Sequence, residues 1–240
     1  MNQEITILQL YPDELNIYGD NGNLLALKKR LEWRGIIPNI ILHNISDDFS
    51  NYQPDIILAG GGQESNLLKI NDDLQKITPL LTKWIESGVS ALFICGAYQF
   101  LGKVNQTTTK QILPATGMFN FETISEQERL VGNIVLKSSE FGEVVGYENH
   151  SGRTYLGKGL QPFGRVVKGR GNNGRDHSEG LRYKNLIATY LHGPILPKNP
   201  LVADFLIRKA LQRRYGNDQL APLEDTIELS AQKQSASRPK

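Results

Sequence analysis

Three short, mainly apolar runs in this sequence end at residues suited to turns or to chemistry. The run at 55–58 leads into the glycines at 60–62, the run at 91–94 leads into Cys95, and the run at 186–191 leads into His192. Such runs are typical of strands that are buried on both faces of a parallel sheet. Because parallel strands end at the same edge of a sheet, we expect these three sites to lie close together.

The rest of the first half predicts strands and helices in alternation. Further strands are indicated at 5–10 and 38–42, and a helix follows the turn-rich residues 18–23. Apolar residues at helical spacing between 74 and 85 predict a second helix that stops near Gly88. Strands that alternate with helices predict an α/β fold, with a mostly parallel sheet flanked by helices.

The middle of the chain has a different pattern. Gly, Thr and Val are frequent between residues 103 and 170, and four strand-like runs lie at 119–124, 130–136, 144–147 and 165–168. These runs predict an additional β-rich segment of hairpins and loops beside the main sheet. The polar, glycine-rich residues 169–180 predict a mobile surface loop.

The end of the chain divides into a helix and a tail. Asn199 is expected to cap a helix that carries apolar residues from Leu201 to Leu211. We assign residues 1–216 to one domain and the polar residues 217–240 to a C-terminal tail. The last part of that tail, 232–240, is expected to be disordered when unbound.

Composition excludes several classes of function. A net charge of +2 is too small to indicate a nucleic acid partner, and no apolar run is long enough to span a membrane. A single cysteine excludes a disulfide framework and a multi-cysteine metal site. Residues 1–4 do not resemble the start of a signal peptide, so we expect a cytoplasmic protein.

Cys95 lies at a predicted strand-to-helix turn. The N-terminus of a helix favours the thiolate, which is the reactive form of cysteine. Gly96 follows directly, permits a cramped turn and leaves its backbone N–H accessible. A small buried hydrophobic residue is the alternative interpretation. The position at the end of a parallel strand favours a nucleophile.

The glycines at 60–62 predict donors for a developing oxyanion. No Lys-Ser or Lys-Thr pair follows them, so they do not form a nucleotide-binding P-loop. Backbone N–H groups at Gly61 or Gly62, together with the N–H of Gly96, are suited to stabilise negative charge beside Cys95. The alternative is a flexible turn without a catalytic role.

His192 is the candidate base. Gly193 and Pro194 follow it and fix a turn at the end of a buried strand. A neutral imidazole there can accept the thiol proton and later protonate a leaving amine. His150 is the rival because its neighbours are also polar, and a structural histidine remains the other alternative.

These residues form a pattern that resembles a known family. Residues 94–99 resemble the Cys-Gly-Gly-Tyr-Gln elbow of class I glutamine amidotransferases of the cobyric acid synthase (CobB/CobQ) type. Residues 60–64, 146–154 and 190–199 fit the same group. With Asn-Ile-Tyr-Gly-Asp-Asn-Gly-Asn at 16–23, the pattern is most similar to the GatD-type glutaminase subunits of lipid II isoglutaminyl synthase. The resemblance implies a flavodoxin-like glutamine amidotransferase domain.

The resemblance also implies a reaction. Cys95 attacks the side-chain amide of L-glutamine and His192 protonates the departing ammonia, after which water cleaves the glutamyl thioester. Gln99, one helical turn after Cys95, and Arg129 match positions that hold the substrate in the family. An arginine suits a carboxylate because its fork binds bidentately.

A partner is implied as well. In the family, the ammonia passes to a Mur-ligase-like (MurT-type) subunit of a heterodimer. That subunit uses ATP to activate the D-glutamate α-carboxyl of lipid II, which becomes D-isoglutamine. This chain has no ATP motif, so we expect no cofactor or metal in it and place ATP and its metal in the partner.

The sequence departs from the wider family at two positions. Ala97 replaces the second glycine of the elbow, which is tolerable if its φ is negative. Pro194 stands where many class I enzymes carry the carboxylate of a catalytic triad. Cys95 and His192 act either as a dyad or with a carboxylate from elsewhere, for which Asp20 and Glu148 are candidates.

Two other functions stay open. An ammonia donor for corrinoid amidation would keep the glutaminase and change the acceptor. A non-catalytic scaffold for a ligase would not need Cys95 or His192.

Overall fold

The computed structural model describes residues 3–239. The predicted absence of a signal peptide falls partly on residues 1–2, and the predicted tail ends at Lys240, all of which lie outside the described residues. The elements in chain order are β1 (Glu4–Leu10), α1 (Asn21–Glu32), β2 (Ile37–His43), β3 (Ile56–Ala59), α2 (Glu64–Lys69), α3 (Asn71–Glu86), β4 (Ser90–Ile94), α4 (Gly96–Phe100), β5 (Val104–Gln106), β6 (Phe121–Ser138), β7 (Gly142–Leu156), β8 (Gly164–Lys168), β9 (Ser178–Glu179), β10 (Leu181–Tyr183), β11 (Leu186–Thr189), α5 (Pro200–Tyr215) and α6 (Thr226–Ser237).

The main sheet has six strands in the order β10-β11-β4-β3-β1-β2. Every neighbouring pair is parallel except β10 with β11, so the predicted mostly parallel sheet is confirmed. All residues of β3, β4 and β11 are buried, as expected for central strands covered on both faces. None of the helices within 3–239 combines the length and apolarity needed to cross a membrane.

The ends of the parallel strands bring the three sequence features to one edge. β4 is the common neighbour of β3 and β11, with Ala59 paired to Phe93 and Thr189 to Ile94. The glycines that follow β3, the cysteine that follows β4 and the histidine that follows β11 therefore lie side by side above the sheet.

A second sheet forms the predicted β-rich segment. β6 pairs with β5, β7 and β8, and β9 extends the sheet beyond β8. The runs at 119–124 and 130–136 were predicted as separate strands, but both largely fall within the 18-residue β6. The pairing of β6 with β7 is irregular between Ser125 and Leu130. This irregularity explains why the apolar pattern is interrupted there.

Residues 169–180 form the predicted surface loop only in part, with Gly174, Arg175, Asp176 and His177 exposed. Gly171, Asn172 and Asn173 are buried. Glu148 accepts hydrogen bonds from the backbone N–H groups of Arg170 and Gly171 at 2.7 and 2.8 Å. Side-chain acceptors of this kind compensate for burying the polar backbone, so residues 171–173 are buried although the sequence around them is polar and rich in glycine.

The polar tail is also more ordered than the sequence predicts. Residues 226–237 form α6, and Gln232 in this helix donates to the backbone oxygen of Glu143 in β7 at 2.9 Å. Asp225 holds the start of α6 through a two-point ion pair with the buried Arg30 of α1. The expected disorder of 232–240 is therefore wrong for 232–237. The division at residue 216 stays a prediction.

Asn199 lies at the predicted N-cap of α5, but its side chain does not cap the helix. Its amide instead accepts from the backbone N–H of Val145 at 2.9 Å and donates to the oxygen of Val145 at 2.8 Å. Asn199 thus joins the start of α5 to β7. Because α5 packs on the main sheet and β7 belongs to the second sheet, this contact links the two sheets.

Candidate active site

Cys95 occupies a strained turn between β4 and α4. Its φ of 51° and ψ of −106° lie outside the regions that non-glycine residues ordinarily adopt. Hydrogen bonds on both sides hold this turn, from the Cys95 N–H to Thr189 O at 2.8 Å and from the Gln99 N–H to Cys95 O at 2.9 Å. Strain of this kind is typical of nucleophile elbows, where the turn projects the reactive side chain above the sheet.

Gly96 lies where two loops approach each other closely. A Cβ at this position would lie 3.2 Å from the backbone nitrogen of Gly62 and 3.2 Å from Leu67 Cδ2. The N–H groups of Gly62 and Gly96 therefore lie near each other beside Cys95, and neither has a hydrogen-bond acceptor within residues 3–239. Ala97 lies inside α4 without a positive φ, so its methyl group is tolerated.

His192 is fully buried beside Cys95. Its backbone pairs with Tyr147 of β7, which fixes the ring at the end of β11. Burial by itself would lower the pKa of His192, but attraction to the Cys95 sulfur and the hydrogen bond to Asp20 raise that pKa above its ordinary value. The site therefore favours an imidazolium at His192. This state differs from the neutral imidazole expected from the sequence.

Asp20 is the carboxylate that orients His192. Asp20 Oδ1 lies 3.3 Å from His192 Nδ1, and both side chains are buried. Asp20 Oδ2 accepts the N–H of Gly61 at 2.6 Å. Gly61 is therefore withdrawn as an oxyanion donor, because its N–H points at a carboxylate. Gly62 and Gly96 remain as candidate donors.

Glu148, the other candidate carboxylate, serves a different part of the protein. Its oxygens bind the backbone of the segment after β8, and the nearest histidine nitrogen, Nε2 of His150, is 3.8 Å away. Pro194 also has a structural role: a Cβ on Gly22 would lie 2.4 Å from Pro194 Cγ. Pro194 therefore packs against the start of α1, directly after Asp20.

A cavity of about 490 Å³ opens beside Cys95. Its walls come from the loop before α1, the glycine loop with α2, the elbow, and the irregular part of β6 with the facing part of β7. The lining residues are Ile17, Tyr18, Gly62, Gln63, Glu64, Ser65, Leu67, Cys95, Gln99, Leu113, Ser125, Arg129, Asn149, His150 and Ser151. The volume suits a small molecule of amino-acid size.

Two predicted substrate-binding residues line this cavity. Gln99 is buried, and its Nε2 donates to the hydroxyl of Tyr190 at 3.3 Å. Arg129 lies on the irregular part of β6 and reaches the cavity from the opposite wall. The structure thus brings Gln99 and Arg129 to the same space as Cys95.

His150 lines the cavity but lacks the partners of a base. Its Nδ1 lies 2.8 Å from Gly152 O, and its ring stacks on Tyr190 at a centroid distance of 3.6 Å. Burial lowers the pKa of His150, which keeps the ring neutral. His192, with Asp20 on one nitrogen and Cys95 nearby, is the better base.

Glu179 is a buried carboxyl group that no sequence motif points to. Its Oε1 accepts from Thr189 Oγ1 at 2.5 Å and from the Tyr190 N–H at 2.8 Å, two residues before His192. Oε2 has no hydrogen-bond partner within residues 3–239. Burial, together with repulsion from Glu148, raises the pKa of Glu179 to about 7.

We expect the free energy of unfolding to fall as pH rises from about 4.5 to about 7. In that window folded Glu179 holds a proton that the unfolded chain has released, which amounts to about 3 kcal/mol. Glu179→Gln should remove this slope because it keeps the acceptor oxygen and does not titrate. Urea unfolding across this range, with the exposed Glu122→Gln as control, measures the effect. An unchanged slope in Glu179→Gln contradicts the assignment.

The described residues contain no candidate metal site. Within 3–239 no group of three or more His, Cys, Asp or Glu side chains is arranged to hold a metal ion. Cys95 and Gly62 line the cavity, and His192 and Asp20 lie behind them.

Several known proteins are similar in sequence to this chain. A profile of the CobB/CobQ-like glutamine amidotransferase domain matches residues 6–200. The GatD subunit of lipid II isoglutaminyl synthase (glutamine-hydrolyzing) from Staphylococcus aureus strain N315 is 44% identical over 88% of this chain and 86% of its own length. The corresponding GatD subunit from Streptococcus pneumoniae strain R6 is 36% identical over 93% of this chain and 87% of its own length.

More distant matches agree on the fold. A cobyric acid synthase from Listeria innocua is 30% identical over 66% of this chain, but the match spans 32% of the synthase. A crystal structure of a glutamine amidotransferase superimposes with a TM-score of 0.59, covering 85% of this chain and 98% of that one at 16% identity. By sequence, fold and arrangement of the elbow, this chain belongs to the CobB/CobQ-like glutamine amidotransferase family.

Proposed function

We propose that this chain is the glutamine-hydrolysing subunit of a lipid II isoglutaminyl synthase. The observation that carries the proposal is the grouping of Cys95, His192 and Asp20 beside the free N–H groups of Gly62 and Gly96. Cys95 and Gly62 from this group line the cavity, and the others lie behind them. Two relatives named as GatD subunits, matched over most of both chains, support the choice of complex.

The first step forms a thioester. Glutamine enters the cavity with its α-carboxylate toward Arg129, and the Cys95 thiolate attacks the carbon of the side-chain amide. The carbonyl oxygen gains a negative charge that the Gly62 and Gly96 N–H groups stabilise. One such donor lowers the barrier by about 3 kcal/mol in comparable acyl transfers.

The second step releases ammonia and then glutamate. The imidazolium of His192 gives its proton to the leaving nitrogen as the C–N bond breaks, and Asp20 keeps the ring oriented. The neutral imidazole next accepts a proton from water, whose oxygen attacks the thioester. The C–S bond breaks, glutamate leaves, and the thiolate and imidazolium are restored.

The ammonia is used by a partner. The names of both relatives describe a subunit of a larger enzyme. We propose that the partner is a Mur-ligase-like subunit that binds ATP and its metal and activates the D-glutamate α-carboxyl of lipid II. The cytoplasmic location stays a prediction. Corrinoid amidation is less well supported, because the match covers only 32% of the cobyric acid synthase.

The test supplies nitrogen in two forms to the complex with its co-expressed Mur-ligase-like subunit. With lipid II, ATP and glutamine, we expect glutamate release and amidation of D-glutamate, both read by mass spectrometry. With Cys95→Ser, amidation should stop with glutamine and continue with ammonium chloride. Equal amidation by both proteins from glutamine contradicts the glutaminase. A complex that releases glutamate but amidates only a corrinoid carboxylate contradicts the acceptor.

A further inference from the structure

Arg129 is a cation in the cavity wall that no carboxylate neutralises. Its Nε donates to Asn149 Oδ1 at 2.8 Å, and its Nη2 donates to the backbone oxygen of Asn149 at 2.9 Å. Within residues 3–239 Arg129 forms no ion pair, whereas Arg153 and Arg175 nearby both pair with Glu126. Nη1 of Arg129 has no acceptor in the same range, so one edge of the guanidinium is available to a ligand.

The residue that holds Arg129 is an amide and not an acid. Both acceptors on Asn149 are neutral oxygens, so they fix the plane of the guanidinium and leave its positive charge intact. An aspartate could make the same contacts but would cancel the charge that a ligand carboxylate needs. The hydrogen bonds from Arg129 to Asn149 therefore orient the guanidinium and leave it able to bind an anion.

Asn149 also holds the opposite wall of the cavity. Its Nδ2 donates to the hydroxyl of Tyr18 at 2.6 Å. Tyr18 has a φ of 56°, a strained value for a bulky residue, and it lies two residues before Asp20. The edge of the Tyr18 ring packs on His192 with centroids 4.9 Å apart. The hydrogen bond from Asn149 therefore helps to hold Tyr18 in its strained conformation against His192.

We infer that Asn149 is a positioning residue that sets both the Arg129 fork and the Tyr18 wall of the glutamine site. The inference rests on the proposed glutaminase. It adds that one neutral side chain, Asn149, connects Arg129, which binds the α-carboxylate, to Tyr18, which packs on His192. Asn149 does not touch the reacting amide. Its loss should therefore act mainly on binding of the α-carboxylate.

The experiment compares L-glutamine with 4-aminobutanamide, the same molecule without its α-carboxylate. Ammonia release is measured with the chain alone or with its ligase subunit, whichever gives wild-type activity. For Asn149→Ala we expect the KM for glutamine to rise at least about 10-fold, as for lost hydrogen bonds to a charged group. For 4-aminobutanamide we expect a clearly smaller loss in Asn149→Ala, because only the contact with Tyr18 then matters, and kcat/KM within about twofold of wild type in Arg129→Ala.

Two further variants keep the test decisive. Asn149→Asp preserves size and acceptors, and we expect it to raise the KM for glutamine at least as much as Asn149→Ala because it neutralises Arg129. A side chain with only a packing role would tolerate aspartate. Asn133→Ala is the matched control, since this amide lies on β6 outside the cavity and its one side-chain hydrogen bond within residues 3–239 goes to the backbone oxygen of Pro239. It should leave both substrates unchanged.

Tyr18→Phe tests the second contact. It removes the hydroxyl and keeps the ring on His192, so the KM for glutamine should lie between those of wild type and Asn149→Ala. A wild-type KM in Tyr18→Phe overturns the Tyr18 half of the inference. A wild-type KM in Asn149→Asp, or equal losses on both substrates in Asn149→Ala, overturns the whole. If wild type releases no ammonia from glutamine in either setting, the proposed function itself has failed.

Discussion

Cys95→Ala will lower glutamine hydrolysis by at least about 10⁴-fold, because the reaction loses the atom that forms the thioester. Alanine fits the space and adopts the same strained turn at no greater cost than cysteine, so the protein should stay folded. Glutamate release, measured with and without the ligase subunit, gives the activity. Thermal unfolding of both proteins checks the fold.

The lone thiol provides an independent measurement. Because Cys95 is the only cysteine in the chain, incorporation of iodoacetamide reports on this residue alone. We expect one label in wild type, none in Cys95→Ala, and protection by glutamine when the cavity is occupied. Normal glutamine hydrolysis by a fully alkylated protein would show that the nucleophile is another residue.

Asp20→Asn will lower kcat/KM by about 10³- to 10⁴-fold, the range found when an asparagine replaces the orienting aspartate of a catalytic triad. The asparagine can still accept the Gly61 N–H, but it no longer stabilises the imidazolium or fixes the ring in the productive tautomer. The raised pKa of His192 depends in part on Asp20, so this pKa should fall in the variant.

The pH profile separates this role from a general loss of structure. In Asp20→Asn the His192 imidazolium should lose its proton at a lower pH than in wild type. The pH dependence of iodoacetamide labelling at Cys95 should shift to lower pH in the same way. Asp13→Asn, an exposed carboxylate on the same loop, should behave as wild type. If Asp20→Asn keeps more than about a tenth of wild-type kcat/KM with an unchanged profile, Cys95 and His192 act as a dyad.

The sequence was sufficient to place Cys95, Gly62 and His192 together. Each follows a buried strand, and the alternation of strands and helices makes those strands parallel, so their ends share an edge. Burial on both faces leaves an apolar run that is readable in one sequence. The elbow and the cavity residues Gln99 and Arg129 depended on the resemblance to a family.

The sequence could name Asp20 and Glu148 as candidate carboxylates but could not choose between them, because the role of Asp20 depends on two long-range contacts. Gly61 and His192 lie 41 and 172 positions away along the chain, and nothing local shows that one carboxylate reaches both. The same reasoning explains the error at Gly61. Whether a backbone N–H is free for an oxyanion depends on which side chain approaches it in the folded protein.

Two polar segments, 226–237 and 171–173, are more ordered or more buried than the sequence predicts, and the reason is related. Within α6 no residue is buried, so the helix has no apolar stripe, and its place on β7 depends on hydrogen bonds such as that from Gln232. In the glycine-rich segment after β8, residues 171–173 are buried, and Glu148 accepts the backbone N–H groups of Arg170 and Gly171 at the start of this stretch. Apolar periodicity does not report on segments that polar contacts hold in place.

The double contact of Asp20 has a consequence for how the site can be switched. The glycine loop and the imidazole share one anchor, so a displacement of Gly61 that withdraws the Gly62 N–H from the oxyanion also pulls Asp20 away from His192. Proton transfer by His192 and charge stabilisation by the Gly62 N–H are therefore coupled through Asp20. Lengthening or shortening the glycine loop would change both halves of the chemistry at once.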